Sequence, residues 1–167
     1  MNEPICILAT LDKNYIPYFN VMLSSLLDKN EGETFRVFLM NSSLTEENLA
    51  LSRKLLFGRG ELVPVKTAEN EFDGAPTSDR YPKEMYYRIF ASKYLPADVD
   101  RVLYLDPDIV VNGSVRELYD MPMWENYFAA ATHIRAFLKK FNELRLDMDD
   151  DSPYINSGVM LMNLGLL

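Results

Sequence analysis

Short apolar runs alternate along this chain with stretches whose apolar residues fall at helical spacing, and that alternation leaves few folds open. Ile5 to Thr10 is the first run, and after Leu11-Asp12-Lys13-Asn14 the residues Ile16, Phe19, Leu23, Leu26 and Leu27 line one helix face. Phe35 to Met40 is the second run; Ser43 with Glu46 three residues on then reads as a capping box, opening a helix that carries Leu49, Leu51, Leu55 and Leu56 and stops at Gly58 and Gly60. Leu62 to Val65 is a third strand. Asn70 to Pro82 is polar and rich in Gly, Pro and Asp, so it reads as a surface loop. Lys83 to Tyr94 has helical character, closed by Pro96, and Arg101 to Leu105 is a buried strand. Phe128 to Thr132 and Gly158 to Leu164 read as two further strands, with Ile134 to Leu146 as a helix or ordered loop between them. Strands feeding helices in this way predict an α/β fold of three layers, with a mostly parallel central sheet covered on both faces. The 167 residues fit one domain of ordinary size.

Charge narrows the ligand. A net charge of −8 opposes nonspecific binding of nucleic acid, which needs clustered Lys and Arg. If the ligand is instead an anionic phosphate, a metal ion between acidic protein and acidic ligand resolves the conflict. Hydrophobic residues at 48% and charged ones at 25% are globular values, and no stretch is long and apolar enough to span a membrane. Met1-Asn2-Glu3-Pro4 lacks the basic start of a signal peptide, so a cytoplasmic protein is expected. Cys6, the single cysteine, lies in an apolar run and reads as a core thiol.

The chemistry concentrates at Asp106-Pro107-Asp108, which follows Val102-Leu103-Tyr104-Leu105 and precedes Ile109-Val110-Val111. Charges at the end of a buried strand must be solvated, paired or coordinated. Residues two apart on an extended chain share a face, so Asp106 and Asp108 are expected to converge on one ligand. Pro107 fixes its own φ and keeps Asp106 out of the helical region. Oxygen donors of this kind suit Mn²⁺ or Mg²⁺ rather than Zn²⁺. Asp and Pro are also ordinary turn formers, and the motif alone is open to that reading. In a parallel sheet, ligands bind beyond the carboxyl ends of the strands, where the loops bearing Asp12 and Asn14 and bearing Asp106 and Asp108 are expected together. Neither the dinucleotide fingerprint nor a P-loop occurs, so phosphates must be met by metal and side chains.

Four segments then carry a resemblance over essentially the whole chain: Ala9-Thr10-Leu11-Asp12-Lys13-Asn14-Tyr15-Ile16-Pro17-Tyr18 with Ser24-Ser25-Leu26-Leu27, Tyr86-Tyr87-Arg88-Ile89, Arg101 to Asp108, and Tyr154-Ile155-Asn156-Ser157-Gly158-Val159-Met160-Leu161-Met162-Asn163-Leu164. In this order they resemble the family-8 glycosyltransferases, retaining enzymes of the GT-A fold that use a nucleotide sugar, usually a UDP-hexose, and Mn²⁺. The resemblance implies a UDP-hexose donor, a saccharide or glycolipid acceptor, and a place in lipopolysaccharide or other surface-polysaccharide assembly, with the full-length enzyme peripheral to the inner face of the membrane. It implies Thr10 in the donor site, Asp12 accepting from the uracil edge and Asn14 contacting the ribose. Asp108 is then a direct metal ligand, Asp106 is shared between metal and ribose, and Arg88 faces the diphosphate or the donor sugar. Asn156 is expected near the anomeric carbon, and His133 on the acceptor side.

Two family elements have no counterpart before Leu167: a Gln-Asp-containing segment and a later histidine that is the third metal ligand. The resemblance therefore implies the N-terminal portion of a longer catalytic domain, with weakened donor binding and little transfer of its own. Surfaces exposed by truncation are expected at Met121, Met123, Trp124, Leu166 and Leu167, where a homodimer could form. Asp147, Asp149 and Asp151 mimic an EF-hand start, yet Ser152 and Gly158 stand where its glycine and glutamate belong, so the run reads as a solvated loop. Two rivals stay open: a noncatalytic domain that binds a nucleotide sugar or a protein, and a nucleotidyltransferase preferring a nucleoside triphosphate. Double displacement and front-face attack both stay open as routes to retention.

Overall fold

The computed structural model describes residues 3–68, 84–132 and 155–167. Among these residues six strands form one sheet: β1 (Ile5–Thr10), β2 (Phe35–Asn41), β3 (Gly60–Lys66), β4 (Arg101–Leu105), β5 (Phe128–Ala130) and β6 (Val159–Asn163), in the spatial order β3-β2-β1-β4-β6-β5. The first four run parallel, with Ile7 level with Val37 and with Leu103. β6 runs antiparallel to β4, pairing Leu105 with Val159, and β5 antiparallel to β6. The sheet is thus mostly parallel, as the sequence predicts. The reversal of β6 brings its start to the same edge as the end of β4.

Helices cover both faces. α1 (Ile16–Lys29) and α2 (Glu46–Leu56) bury Phe19, Met22, Leu23, Leu26, Leu49 and Leu56 against Ile7, Val37, Leu103 and Leu161. Each such side chain withdrawn from water contributes roughly 1.5–3 kcal/mol. On the opposite face Tyr87, Ala91, Leu95 and Val99 pack on Leu8, Phe38, Tyr104, Met160 and Met162. Tyr87 ends α3 (Glu84–Tyr87) and Ala91 opens α4 (Ala91–Tyr94), while Leu95 and Val99 lie in the chain that follows; a 3-10 turn at Arg88–Phe90 separates the two helices, so the helical segment expected there is broken at Arg88. α5 (Arg116–Tyr119) follows the acidic loop.

Several boundaries differ from the sequence reading for local reasons. α2 is capped by Thr45 with Asn48, in a reciprocal capping box, rather than by Ser43 with Glu46. Asn41 explains the shift: its Oδ1 accepts from the Leu44 amide at 2.9 Å, which holds the bend at 42–43 before the helix. β3 begins at Gly60, two residues earlier than predicted. There φ is +148°, and an added Cβ would lie 1.9 Å from the Phe35 carbonyl oxygen, so only glycine lets β3 start against β2. Met123 is 3% exposed and packs in the core, which removes it from the surfaces named for a homodimer. Met121, Trp124, Leu166 and Leu167 are exposed.

The loop after β4 is tied back to α1. Ser25 accepts the Val111 amide at 2.9 Å while donating to the Met22 carbonyl, and Asn30 accepts the Val115 amide at 2.8 Å. The serine of the Ser24-Ser25-Leu26-Leu27 segment therefore anchors the chain that leaves Asp108. Among the described residues, no helix is long and apolar enough to cross a membrane. The expected loop at Asn70 to Pro82, the helix or loop at Ile134 to Leu146, the acidic run at Asp147, Asp149 and Asp151, and His133 lie outside the described residues.

Candidate functional site

Three segments distant in sequence meet at the carboxyl end of β4. Asp106, one residue past the strand, takes two donors on Oδ1: the Tyr104 hydroxyl at 2.7 Å and Arg88 Nη1 at 3.2 Å. Tyr104 and Asp106 are two apart and share a face, which is why the phenol reaches the carboxylate. Arg88 is 8% exposed; its Nη1 also donates to the Ser157 carbonyl at 2.9 Å, and its guanidinium lies 4.3 Å from the centre of the Tyr104 ring. A cation this deep needs such partners, because an uncompensated buried charge is strongly destabilising. The Asp106 amide donates to the Gly158 carbonyl at 2.8 Å, extending the β4–β6 pairing by one bond.

Before β6, Asn156 folds the chain into a tight turn, its Oδ1 accepting the Gly158 amide at 2.9 Å. Gly158 is buried, and a Cβ there would stand 2.7 Å from Asp106 Oδ2. The glycine thus leaves room for the carboxylate. Behind this end, Tyr86, Arg88, Ile89, Phe128, Met160 and Met162 are among the residues around a mainly apolar cavity of about 470 Å³.

The end of β1 is built differently. Asp12 caps the 3-10 turn Lys13–Tyr15: Oδ1 accepts the amides of Asn14 at 2.8 Å and Tyr15 at 3.3 Å, and Oδ2 accepts Asn14 Nδ2 at 2.9 Å. Asn14 is exposed and Asp12 half-buried. Thr10, at the last position of β1, is 5% exposed, and its hydroxyl lies 3.3 Å from that of Tyr104.

The glycosyltransferase family 8 model matches residues 6–167. The chain belongs to glycosyltransferase family 8. Relatives include a lipopolysaccharide 1,2-glucosyltransferase of Escherichia coli, 30% identical over 155 residues, with 92% of this chain and 46% of that enzyme covered. A lipopolysaccharide 1,3-galactosyltransferase of Salmonella typhimurium is 26% identical, with 93% and 47% covered. The crystal structure of the galactosyltransferase LgtC, in complex with donor and acceptor sugar analogs, superposes with a TM-score of 0.85 at 28% identity, covering 97% of this chain and 59% of that one. The α/β architecture is the GT-A fold of that neighbour. The chain spans about half the length of the curated relatives it matches.

In this family-8 chain the sheet edge gathers Thr10, Arg88, Asp106 and Asn156, with Asp12 and Asn14 on the adjoining strand end. Asp108 departs from its expected setting: Pro107 and Asp108 form a turn, so the pair does not project from extended backbone. Asp108 is exposed, whereas Pro107 is buried. Among the described residues no three His, Cys, Asp or Glu side chains converge, so the donors available to a cation here are the two carboxylates. Their chemistry fits a hard divalent cation that fills its remaining positions with water or phosphate oxygens. Asp106 Oδ2, which takes no hydrogen bond among the described residues, and the Asp108 carboxylate are the atoms that would hold it.

The sequence reading gave no role to Tyr104 or Tyr15. Tyr104 had a signal, since an in-facing residue two before Asp106 must lie beneath it. Tyr15 had none beyond proximity; its ring is 41% exposed beside the Asp12 turn and 5.6 Å from that of Tyr18.

Proposed function

We propose that this chain carries the donor-binding side of a metal-dependent retaining hexosyltransferase, taking its sugar from a UDP-hexose for a saccharide or glycolipid acceptor. The observation that carries the reading is the convergence of Arg88, Asp106 and the Asn156–Gly158 turn, from three distant segments, at the strand end where an α/β sheet binds ligands. The glucosyl- and galactosyltransferases among its relatives support a hexose donor and lipopolysaccharide assembly.

The hydrogen bonds already made decide what each group has left to offer. Asp12 keeps acceptor capacity on Oδ2, which takes one hydrogen bond where Oδ1 takes two, and that oxygen suits the N–H of a uracil edge. Asn14 spends its amide nitrogen on Asp12, so its Oδ1 is free to accept from a ribose hydroxyl. Asn156 spends Oδ1 on Gly158, which leaves its NH₂ to donate to a sugar oxygen near the anomeric carbon. The exposed ring of Tyr15 offers a face on which a base can stack.

Asp106 and Asp108 would hold Mn²⁺ or Mg²⁺, which would supply Lewis-acid stabilisation of the charge that builds on the departing diphosphate. Arg88 adds a fixed positive charge beside Asp106, where it opposes the negative charge brought by the donor. The Asn156 NH₂ orients the sugar for attack.

Calorimetric titration of UDP into the chain, with Mn²⁺ and again with EDTA, tests the reading. Binding that requires the metal and is abolished in Asp108→Ala is the expected result. Binding of a nucleoside triphosphate in preference to UDP, or no binding in either condition, overturns it.

A further inference from the structure

We propose that Tyr104 is a positioning residue that fixes the Asp106 carboxylate for donor and cation, through a buried hydroxyl chain beginning at Thr10. The inference rests on the function proposed above and extends it to two residues that need not touch the ligand.

Tyr104 is fully buried, yet its hydroxyl sits 2.7 Å from Asp106 Oδ1 and 3.3 Å from Thr10 Oγ1. An ionised carboxylate only accepts hydrogen bonds, so the phenol donates to Asp106. It has one proton to give, and the Thr10 hydroxyl must therefore donate to the phenolic oxygen. The chain runs in one direction, Thr10 to Tyr104 to Asp106. Burial raises the pKa of the phenol against the opposing charge of Arg88, so the donor keeps its proton.

The same oxygen is pinned twice. Arg88 donates to Oδ1 at 3.2 Å while its guanidinium stacks on the Tyr104 ring, so ring, cation and carboxylate hold one another. With Oδ1 occupied, Oδ2 is left to face the ligand, in the space that Gly158 keeps open. Phenylalanine would fill the same core volume and keep the stacked guanidinium. What the hydroxyl adds is the setting of Asp106, as groups behind a metal ligand commonly do.

The experiment measures UDP affinity of the full chain by calorimetry, with Mn²⁺ and with EDTA, beside urea unfolding of each variant. Tyr104→Phe is expected to weaken metal-dependent UDP binding about tenfold, within the usual range for residues that orient a ligand-bearing group, while unfolding stays cooperative. Thr10→Val, which leaves the phenol in place, is expected to weaken it about threefold; Thr10→Ser, retaining the hydroxyl, is expected to restore it. The double variant Thr10→Val/Tyr104→Phe is expected to bind no more weakly than Tyr104→Phe alone, because Thr10 acts only through the phenol. Affinity within twofold of the unaltered chain for Tyr104→Phe, or additive losses in the double variant, would overturn the inference while leaving the proposed function standing. Absence of UDP binding by the unaltered chain would overturn both.

Discussion

The turn at Asp12–Tyr15 and the cluster at Arg88–Asp106 close neighbouring parallel strands, yet they are held in opposite ways. The first is local: every hydrogen bond to the Asp12 side chain comes from within three residues. The second joins residues up to 69 positions apart and includes a cation that is 8% exposed. A locally capped turn costs little to lose and little to form. A buried network is tied to the sheet itself, so the two halves of the proposed donor site have different relations to stability, and altering them should separate binding from folding.

Arg88→Ala should have the largest effect. It removes one partner of a mostly buried ion pair and the cation over Tyr104, and a loss of about 3–5 kcal/mol in urea unfolding is expected, together with loss of UDP binding. An unfolding free energy unchanged by this variant would make the two regions equivalent and break the comparison. Gly158→Ala comes next. Its Cβ, 2.7 Å from Asp106 Oδ2, should cost about 1–3 kcal/mol through displacement of the carboxylate, and Mn²⁺-dependent UDP binding should weaken with it.

Asp12→Ala should lie on the other side of the divide. Loss of the cap is expected to cost about 1 kcal/mol in unfolding, whereas UDP affinity, read by calorimetry, should fall more than tenfold. Asp108→Ala sharpens the same point. Loss of an exposed carboxylate with no hydrogen bond among the described residues should change stability by less than about 0.5 kcal/mol while abolishing metal-dependent UDP binding.

The network end should also respond to alkali. Tyr104 ionises well above its ordinary range because of burial, and burial likewise pushes Tyr119 from 10 up to about 12. A phenol whose folded pKa is raised contributes stability that is present below the unfolded pKa and is lost as pH rises through the folded one. Urea midpoints should therefore hold level up to about pH 9–10 and fall above it, and Tyr104→Phe should reduce the fall.

Much of this was legible in the sequence. Periodicity located the strands and principal helices because each carries its own pattern, and the break at Asp106 stood out because two carboxylates closed an apolar run. The cap of α2 was misplaced because Ser43 with Glu46 and Thr45 with Asn48 are both plausible locally; the Asn41 side chain, from the preceding strand, settled between them. Met123 was taken for surface because nothing in Met-Pro-Met-Trp distinguishes one methionine from the other, and only packing does.

By itself, the sequence determined an α/β chain with acidic strand ends and the four segments of its family, since hydrophobic period, turn residues and motif order are properties of neighbours along the chain. The tertiary structure alone decided that β6 runs backwards. Had it run parallel to β4, Asn156 and Gly158 would lie at the far edge from Asp106, so the direction of one strand brings them into the site. It also decided which oxygen of Asp106 is tied and which is left, because that depends on Arg88 and Tyr104 meeting across the sheet edge, and contacts between distant residues are invisible to any local pattern.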